Sequence, residues 1–250
     1  MKKYFYFLLI TSLMLSGFQQ IQAQEKIKTK VAVDLVSSYV WRGVPGYAPL
    51  MDQQNLLSPG IQPTFALDIG NLEIGAWGSG DFTGTYKEVD LYASYTLKSL
   101  TFTFTDYYWD LGWLGKNYFE YESDSTSHVL EAGITFKPEK FPLSFTLATM
   151  FYGADKKATD PEANNYSTYI EAGYSLSVGS DKLDFFLGVT PWDGFYGDGY
   201  GGKDGFGLVN AGVSGYKNLR ISTEYELPLK ASLIFNPQHE KIYLVLGITL

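Results

Sequence analysis

Hydrophobic and polar residues alternate along most of the chain. In the first such segment, Val31, Val33 and Leu35 are separated by Ala32 and Asp34. Successive side chains of a β-strand point to opposite faces, so this alternation predicts strands with one apolar and one polar face. About twelve segments carry the pattern, at residues 31–42, 61–69, 72–77, 88–97, 100–105, 130–136, 143–148, 170–177, 183–190, 209–214, 219–226 and 242–250.

The connections between these segments alternate between short and long. The short ones are at 70–71, 98–99, 137–142, 179–182 and 216–218, and the longer ones at 44–60, 80–87, 111–125, 153–165, 193–206 and 228–240. This segregation predicts an all-β chain that forms a single closed antiparallel transmembrane β-barrel, with short periplasmic turns and longer extracellular loops. The expected number of strands is about twelve, with ten or fourteen as alternatives. Residues 231–235 are assigned to the upper part of the last hairpin.

The N-terminus has the features of a secretory signal peptide. Lys2 and Lys3 precede a mostly apolar stretch at 4–18, and the small residue Ala23 ends a cleavage pattern. A transmembrane anchor is the alternative, but the stretch is shorter than the roughly 20 apolar residues that a spanning helix needs. We therefore expect a signal peptide at 1–23, a barrel domain at 24–250, and location in the cell outer membrane.

Composition narrows the functional classes. The chain has no cysteine, which excludes a disulfide scaffold and a thiolate zinc site, and its net charge of −8 argues against a nucleic-acid partner. We expect no cofactor, no bound metal and no catalytic residues. The expected partners are outer-membrane lipid, small solutes or cations, and the barrel-assembly machinery, whose recognition signal the apolar alternation back from Leu250 resembles.

The polar face of the predicted strands is strongly acidic. It carries two bases, Arg42 and Arg220, and ten acids: Asp34, Asp68, Glu73, Glu88, Asp90, Glu131, Glu171, Asp184, Glu224 and Glu226. An open lumen of this kind favours cations, and Glu131, Glu171 and Glu224 are placed near its middle. This predicts a diffusion channel for small solutes or ions. The alternative is a lumen packed with hydrogen-bonded polar side chains, in a structural or adhesive barrel without a pore.

The stretch SSYVWRG, residues 37–43, is expected to end the first strand. Tyr39 and Trp41 are then on the lipid face, in an aromatic girdle at the membrane surface. Arg42 is on the other face, at the rim of the lumen, where Asp90, Glu88 or Glu226 can pair with it. Gly43 permits a sharp exit into the first loop.

This stretch also carries a family resemblance. The features that resemble the TorF-type porin family are an early S-x-Y-V-[FW]-R-G strand end, the segment 59–62 (PGIQ), and a last hairpin with Glu226-Leu227-Pro228 and Asn236-Pro237 before a terminal strand. The resemblance covers most of the chain after residue 23 and implies an outer-membrane porin, without implying a solute. The cleavage region resembles signal peptides of the Bacteroidetes.

Three further features have competing interpretations. The Asp- and Gly-rich loop 193–207 could hold Ca²⁺ through Asp193, Asp198 and Asp204, but their spacing does not match an EF-hand loop, which favours a solvated loop. His128 beside Ser127 raises the alternative of an outer-membrane lipid hydrolase or acyltransferase, although adjacent strand residues point to opposite faces. Asp106 is on the apolar face, so either its strand has left the hydrocarbon there or a bulge near 107–108 shifts the alternation.

Overall fold

A computed structural model describes residues 27–46, 58–84, 86–110, 117–197 and 205–250 of the chain. The expected signal peptide at 1–23 lies outside the described residues. Among the residues that the structure does describe, no helix is long and apolar enough to cross a membrane.

Twelve long strands form a single closed antiparallel barrel, which confirms the predicted fold. They are β1 (Lys28–Val36), β4 (Gly60–Ile69), β5 (Leu72–Asp81), β6 (Lys87–Leu97), β7 (Leu100–Asp110), β8 (His128–Phe136), β9 (Leu143–Gly153), β12 (Thr168–Val178), β13 (Asp181–Thr190), β14 (Gly207–Arg220), β15 (Glu226–Asn236) and β16 (Lys241–Thr249). Each strand pairs with its neighbour in the chain, and β1 closes the barrel by pairing with β16. Two small hairpins lie in the connections: β2 (Val40–Trp41) with β3 (Val44–Pro45), and β10 (Lys156–Lys157) with β11 (Asp160–Asn164).

The two faces of the barrel wall are inverted relative to a soluble protein. Outward side chains such as Phe65, Phe145 and Leu244 are 51%, 50% and 65% exposed. Inward positions carry buried polar groups, among them Gln62 and Ser232. A monomeric soluble protein rarely exposes a continuous apolar belt of this size, whereas a barrel in lipid requires one.

The connections separate into two ends. The turn end carries turns of two to six residues, at 70–71, 98–99, 137–142, 179–180 and 221–225. The loop end carries the long connections 37–59, 111–127, 154–167 and 191–206, together with two short ones at 82–86 and 237–240. The predicted segregation therefore holds, except that two connections at the loop end, 82–86 and 237–240, are as short as the turns.

Two strand boundaries differ from the sequence prediction. The expected turn at 216–218 lies inside β14, because the alternation continues through Lys217 and Leu219 on the outward face. The real turn is at 221–225, and residues 231–235 belong to β15. The number of strands stays at twelve because the turn predicted at 216–218 is replaced by the turn at 221–225. The sequence predicted a turn there because Gly215, Lys217 and Asn218 are residue types that are common in turns.

The first strand ends earlier than predicted, at Val36. Ser37 completes the pairing with the last strand: its N–H donates to the Leu246 carbonyl (2.8 Å), and its Oγ accepts from the Leu246 N–H (2.9 Å). Beyond Ser37 the chain bends away from the wall, and Ser38 is buried. The segment that follows lies inside the barrel.

Candidate functional site

Residues 38–46 form a hairpin inside the barrel, which we call the lumen plug. Its strands pair Val40 with Pro45 and Trp41 with Val44, and the Gly46 N–H donates to the Tyr39 carbonyl (3.0 Å). The two residues at its tip both have positive φ, 51° at Arg42 and 79° at Gly43. This is the backbone of a type I′ turn, the connection that best matches the twist of a two-residue hairpin.

Gly43 packs against the barrel wall so closely that no side chain fits. A Cβ built on it would lie 1.9 Å from the Val209 carbonyl oxygen. Its own carbonyl accepts a hydrogen bond from Asn236 Nδ2 (2.9 Å), and Asn236 is fully buried. Because Gly43 has no side chain, the tip of the hairpin can contact the barrel wall directly at Val209.

We expect Gly43→Ala to destabilise the barrel far more than Gly84→Ala. Both positions have positive φ, which costs a non-glycine residue about 1 kcal/mol or more. Nothing lies within 4 Å of a Cβ at Gly84, whereas the Val209 carbonyl blocks one at Gly43. The steric term should add about 1–3 kcal/mol, measured by urea unfolding in detergent with tryptophan fluorescence. Equal losses at both positions would contradict the close packing of the plug.

The tip of the plug carries a buried ion pair. Arg42 Nη1 and Nη2 donate to the two carboxylate oxygens of Glu131, on β8, at 2.5 and 2.9 Å. Nη1 also donates to the Tyr196 hydroxyl (2.5 Å), and the Tyr107 hydroxyl donates to Glu131 (3.0 Å). The side chains of Arg42 and Glu131 are only 15% and 5% exposed. A bidentate pair with additional hydrogen bonds is the arrangement in which a buried charge pair is best compensated.

Aromatic rings surround this ion pair. The Arg42 guanidinium lies 4.5 Å from the Trp41 ring centroid and 4.7 Å from that of Tyr169. Trp41 also packs on Tyr107, Phe195 and Tyr196. The prediction that Tyr39 and Trp41 belong to a lipid-facing girdle is therefore wrong. Both side chains point into the lumen because the strand leaves the wall before reaching them. Exposed aromatic residues at the ends of the barrel include Phe119, Trp192 and Phe206 at the loop end, and Tyr95, Phe141 and Tyr225 at the turn end.

The opposite side of the plug packs on a second acidic group. Glu88 and Asp90, both buried, face the lumen from β6. Glu88 accepts hydrogen bonds from the Tyr86 hydroxyl (2.6 Å) and Trp109 Nε1 (2.7 Å). Tyr39 packs on the rings of Trp77 and Tyr86 (5.4 and 6.3 Å between centroids). Together with the Arg42 cluster, these contacts fill the lumen at the height of the plug.

The other predicted lumen residues divide into two groups. Asp34 and Glu171 face inward: Asp34 accepts from the Thr249 hydroxyl (2.6 Å), and Glu171 accepts from Tyr169 and from Asn210 Nδ2 (3.2 Å). Arg220, Glu224 and Glu226 do not reach the lumen. Glu224 is in the turn 221–225, and the other two are exposed at the strand ends beside it. They were misplaced because the boundary between β14 and β15 was predicted too early in the chain.

Sequence reasoning also missed the lysines of the lumen. Lys28 and Lys30 on β1, Lys182 on β13 and Lys230 on β15 occupy inward positions in the half of the barrel nearest the turn end. Two of them had been assigned to connections, and the other two preceded the first predicted strand. Asp68, Glu73 and Asp184 occupy inward positions in the same half of the barrel. The lumen is therefore acidic around the plug and carries both signs toward the turn end, rather than being acidic throughout.

Below the plug, toward the turn end, the lumen contains a cavity of about 330 Å³, which we call the vestibule. Val40, Arg42 and Gly43 of the plug line its inner limit. Lys137, in the turn between β8 and β9, is an exposed residue of its lining. The lumen is thus filled at the plug and open below it.

Asp106 and His128 form a separate cluster on the outward face of the wall. Asp106 Oδ1 lies 2.7 Å from His128 Nδ1 and Asp106 Oδ2 accepts from Tyr121, while the Tyr118 carbonyl lies 2.6 Å from His128 Nε2. The pairing of β7 is regular through 106–108, so no bulge shifts the alternation there. Both imidazole nitrogens are occupied and His128 is fully buried, so no serine can use it as a base in this arrangement. The cluster fastens the segment 117–127 to the barrel.

The loop 191–206 contributes to the plug region through its first half. Phe195 N–H donates to Ser167 Oγ (2.7 Å), and Ser167 donates through its N–H and Oγ to Asp155 (2.8 and 2.6 Å). Burial raises the pKa of Asp155, although the hydrogen bonds from Ser167 oppose the shift. Residues 198–204, where calcium binding was considered, lie outside the described residues. In the part of the chain that the structure describes, no three His, Asp or Glu residues could hold a metal ion.

No family model matches the chain, and no curated protein matches it.

Proposed function

We propose that the protein is an outer-membrane barrel of the porin type whose lumen is closed at rest by its own first loop. The observation that carries this proposal is the lumen plug, held across the barrel by the Arg42–Glu131 pair. Small solutes or ions cross only when the plug is displaced. A channel that closes itself needs a polar lumen, a removable obstruction and a space on at least one side, and the wall, the plug and the vestibule supply these.

Membrane location is supported by the exposed apolar belt around the wall. Closure of the sheet leaves no open strand edge where the barrel would face lipid, which is the condition for a β-structure in a bilayer. The resemblance of SSYVWRG and the other short motifs to the TorF-type porin family agrees with this proposal.

The proposed orientation places the loop end outside the cell and the turn end in the periplasm. The chain has no cysteine, so single cysteines report their own position. Cysteines at Gly84 or Asp160, both exposed at the loop end, should react with a membrane-impermeant maleimide added to intact cells. Cysteines at Lys98 or Ser180, exposed in the turns, should react only after the cells are broken. All four should label equally in detergent, which is the control for intrinsic reactivity.

Labelling of all four positions in intact cells would exclude a membrane-spanning barrel. Labelling of the turn positions alone would mean that the barrel is inserted the other way round, with the vestibule facing outside.

A further inference from the structure

The vestibule has the size and chemistry of a binding site. Its volume of about 330 Å³ is at the lower end of the roughly 300–1,000 Å³ typical of small-molecule pockets. Four cationic side chains line it, against two carboxylates. The cationic ones are Arg42, Lys137, Lys182 and Lys230, and the carboxylates are Glu171 and Asp184. Because Glu131 offsets the charge of Arg42, the three lysines against two carboxylates leave the lining with an excess of one positive charge.

Two of the lysines form no ion pair with a carboxylate of the described residues, although the charge of Lys137 acts on Asp184. Lys182 pairs with Asp184 (2.7 Å), and Glu171 is held by Tyr169 and Asn210. Within the described ranges, Lys137 and Lys230 form no ion pair. The inward positions of Lys182, Tyr216 and Lys230 are adjacent on three neighbouring strands, and both ammonium groups approach the same Tyr216 ring (5.2 and 5.8 Å). Asp184 offsets the charge of Lys182 but not that of Lys230, so an anion near Lys230 would be stabilised.

An independent observation indicates that the ligand also donates hydrogen bonds. Asn210 lines the vestibule and is only 6% exposed. Its Nδ2 donates to the Tyr169 hydroxyl (2.7 Å) and to Glu171, but its Oδ1 has no partner among the described residues. A buried acceptor without a donor is destabilising, so a hydroxyl group supplied by a ligand would be stabilising there.

We propose that the vestibule binds a small polyhydroxylated anion of the sugar-acid class. The anionic group lies between Lys137 and Lys230, and a hydroxyl donates to Asn210 Oδ1. The rings of Phe186 and Tyr216 and the hydroxyls of Ser144 and Ser232 complete the lining. This inference rests on the proposed function, since the vestibule is part of the lumen that the plug closes; the anion is a ligand held there, while the acidic section at the plug favours cations for the current.

The test is calorimetric titration of the intact, detergent-solubilised barrel with glucuronate, using glucose as the neutral comparison. Glucuronate should bind and glucose should bind at least tenfold more weakly. The double variant K137Q/K230Q should lose about tenfold or more in glucuronate affinity, because it removes both charge-assisted hydrogen bonds to the carboxylate. The matched control K98Q/K140Q removes two exposed lysines from turns at the same end and should bind as the wild type does.

Heat-modifiable migration on gels verifies that each variant is folded. The proposal is overturned if glucuronate does not bind, if glucose binds equally well, or if K137Q/K230Q and K98Q/K140Q behave alike. The titration is done with the plug in place, so it does not test conduction. If one of these results is found and removal of the plug still opens a conducting lumen, only the binding proposal is rejected and the proposed function stands. Binding without any such conductance would instead support a solute-binding barrel and reject the channel.

Discussion

Replacing the lumen plug by nine glycine and serine residues should turn a closed barrel into a conducting one. Residues 38–46 fill the lumen at the height of Glu131, and a flexible linker of the same length has no side chains with which to occupy that space. In planar bilayers, the wild type should show no resolvable current steps, whereas the replaced variant should show discrete ones. We expect the current to favour cations, because Glu88, Asp90, Glu131 and Glu171 then face the opened space.

The chain offers a matched control for this replacement. Residues 156–164, which contain β10 and β11, are also nine residues long and largely exposed at the loop end. The same linker in their place should leave the barrel closed. High salt should weaken the cation preference of the opened variant, since screening shortens to about 3 Å at 1 M. A plug-free barrel that is folded and passes no ions would reject the channel and favour a structural or adhesive barrel.

Arg42→Ala should lower the free energy of unfolding by about 3–5 kcal/mol, because it leaves the Glu131 carboxylate buried without its counter-charge. Urea unfolding of the barrel in detergent measures this loss. Glu131→Gln should be similarly costly, whereas the double variant R42M/E131Q should recover most of the stability, since neither buried charge remains. The control is Arg220→Ala: Arg220 is exposed at the turn end, so its loss should fall within about 0.5 kcal/mol.

If the losses in free energy of unfolding of the two single variants simply add in the double variant, Arg42 and Glu131 stabilise the barrel independently, which contradicts the observed geometry.

The same variants should conduct intermittently in bilayers, because the plug retains its aromatic packing on Tyr107 and Tyr196 but loses its central ion pair.

The alternation of apolar and polar residues was sufficient to predict the fold, because a barrel in lipid imposes the same two-residue period on every strand. It failed at Tyr39 and Trp41 because a hairpin inside the lumen alternates too. Alternation shows that two faces exist, but not which of them meets lipid. The tip offered only a weak signal, Gly43, because the residue before it is Arg and not the Asn, Asp or Gly that type I′ turns prefer.

The partner of Arg42 could not be predicted from the sequence. Glu131 is 89 residues away in the chain, and only the register of the closed barrel and the depth of the plug bring the two together.

The lysines of the lumen were missed for a different reason. Lys182 and Lys230 stand close to turns, where the sequence pattern assigns charged residues to solvent, and a shift of two or three residues in a strand boundary decides whether they line the lumen.

Labelling of a single cysteine at Val44 tests the lumen plug most directly. Val44 is on the returning strand of the hairpin and is 3% exposed. The chain contains no cysteine, so a cysteine placed at this position is its only thiol. In the folded barrel, Val44→Cys should resist a water-soluble maleimide for as long as the fold is intact, while Gly84→Cys reacts at once. Combining Val44→Cys with Arg42→Ala should make the thiol reactive without unfolding the barrel. Equal reactivity at positions 44 and 84 in the otherwise wild-type barrel would mean that the hairpin is not seated in the lumen, and would contradict the account.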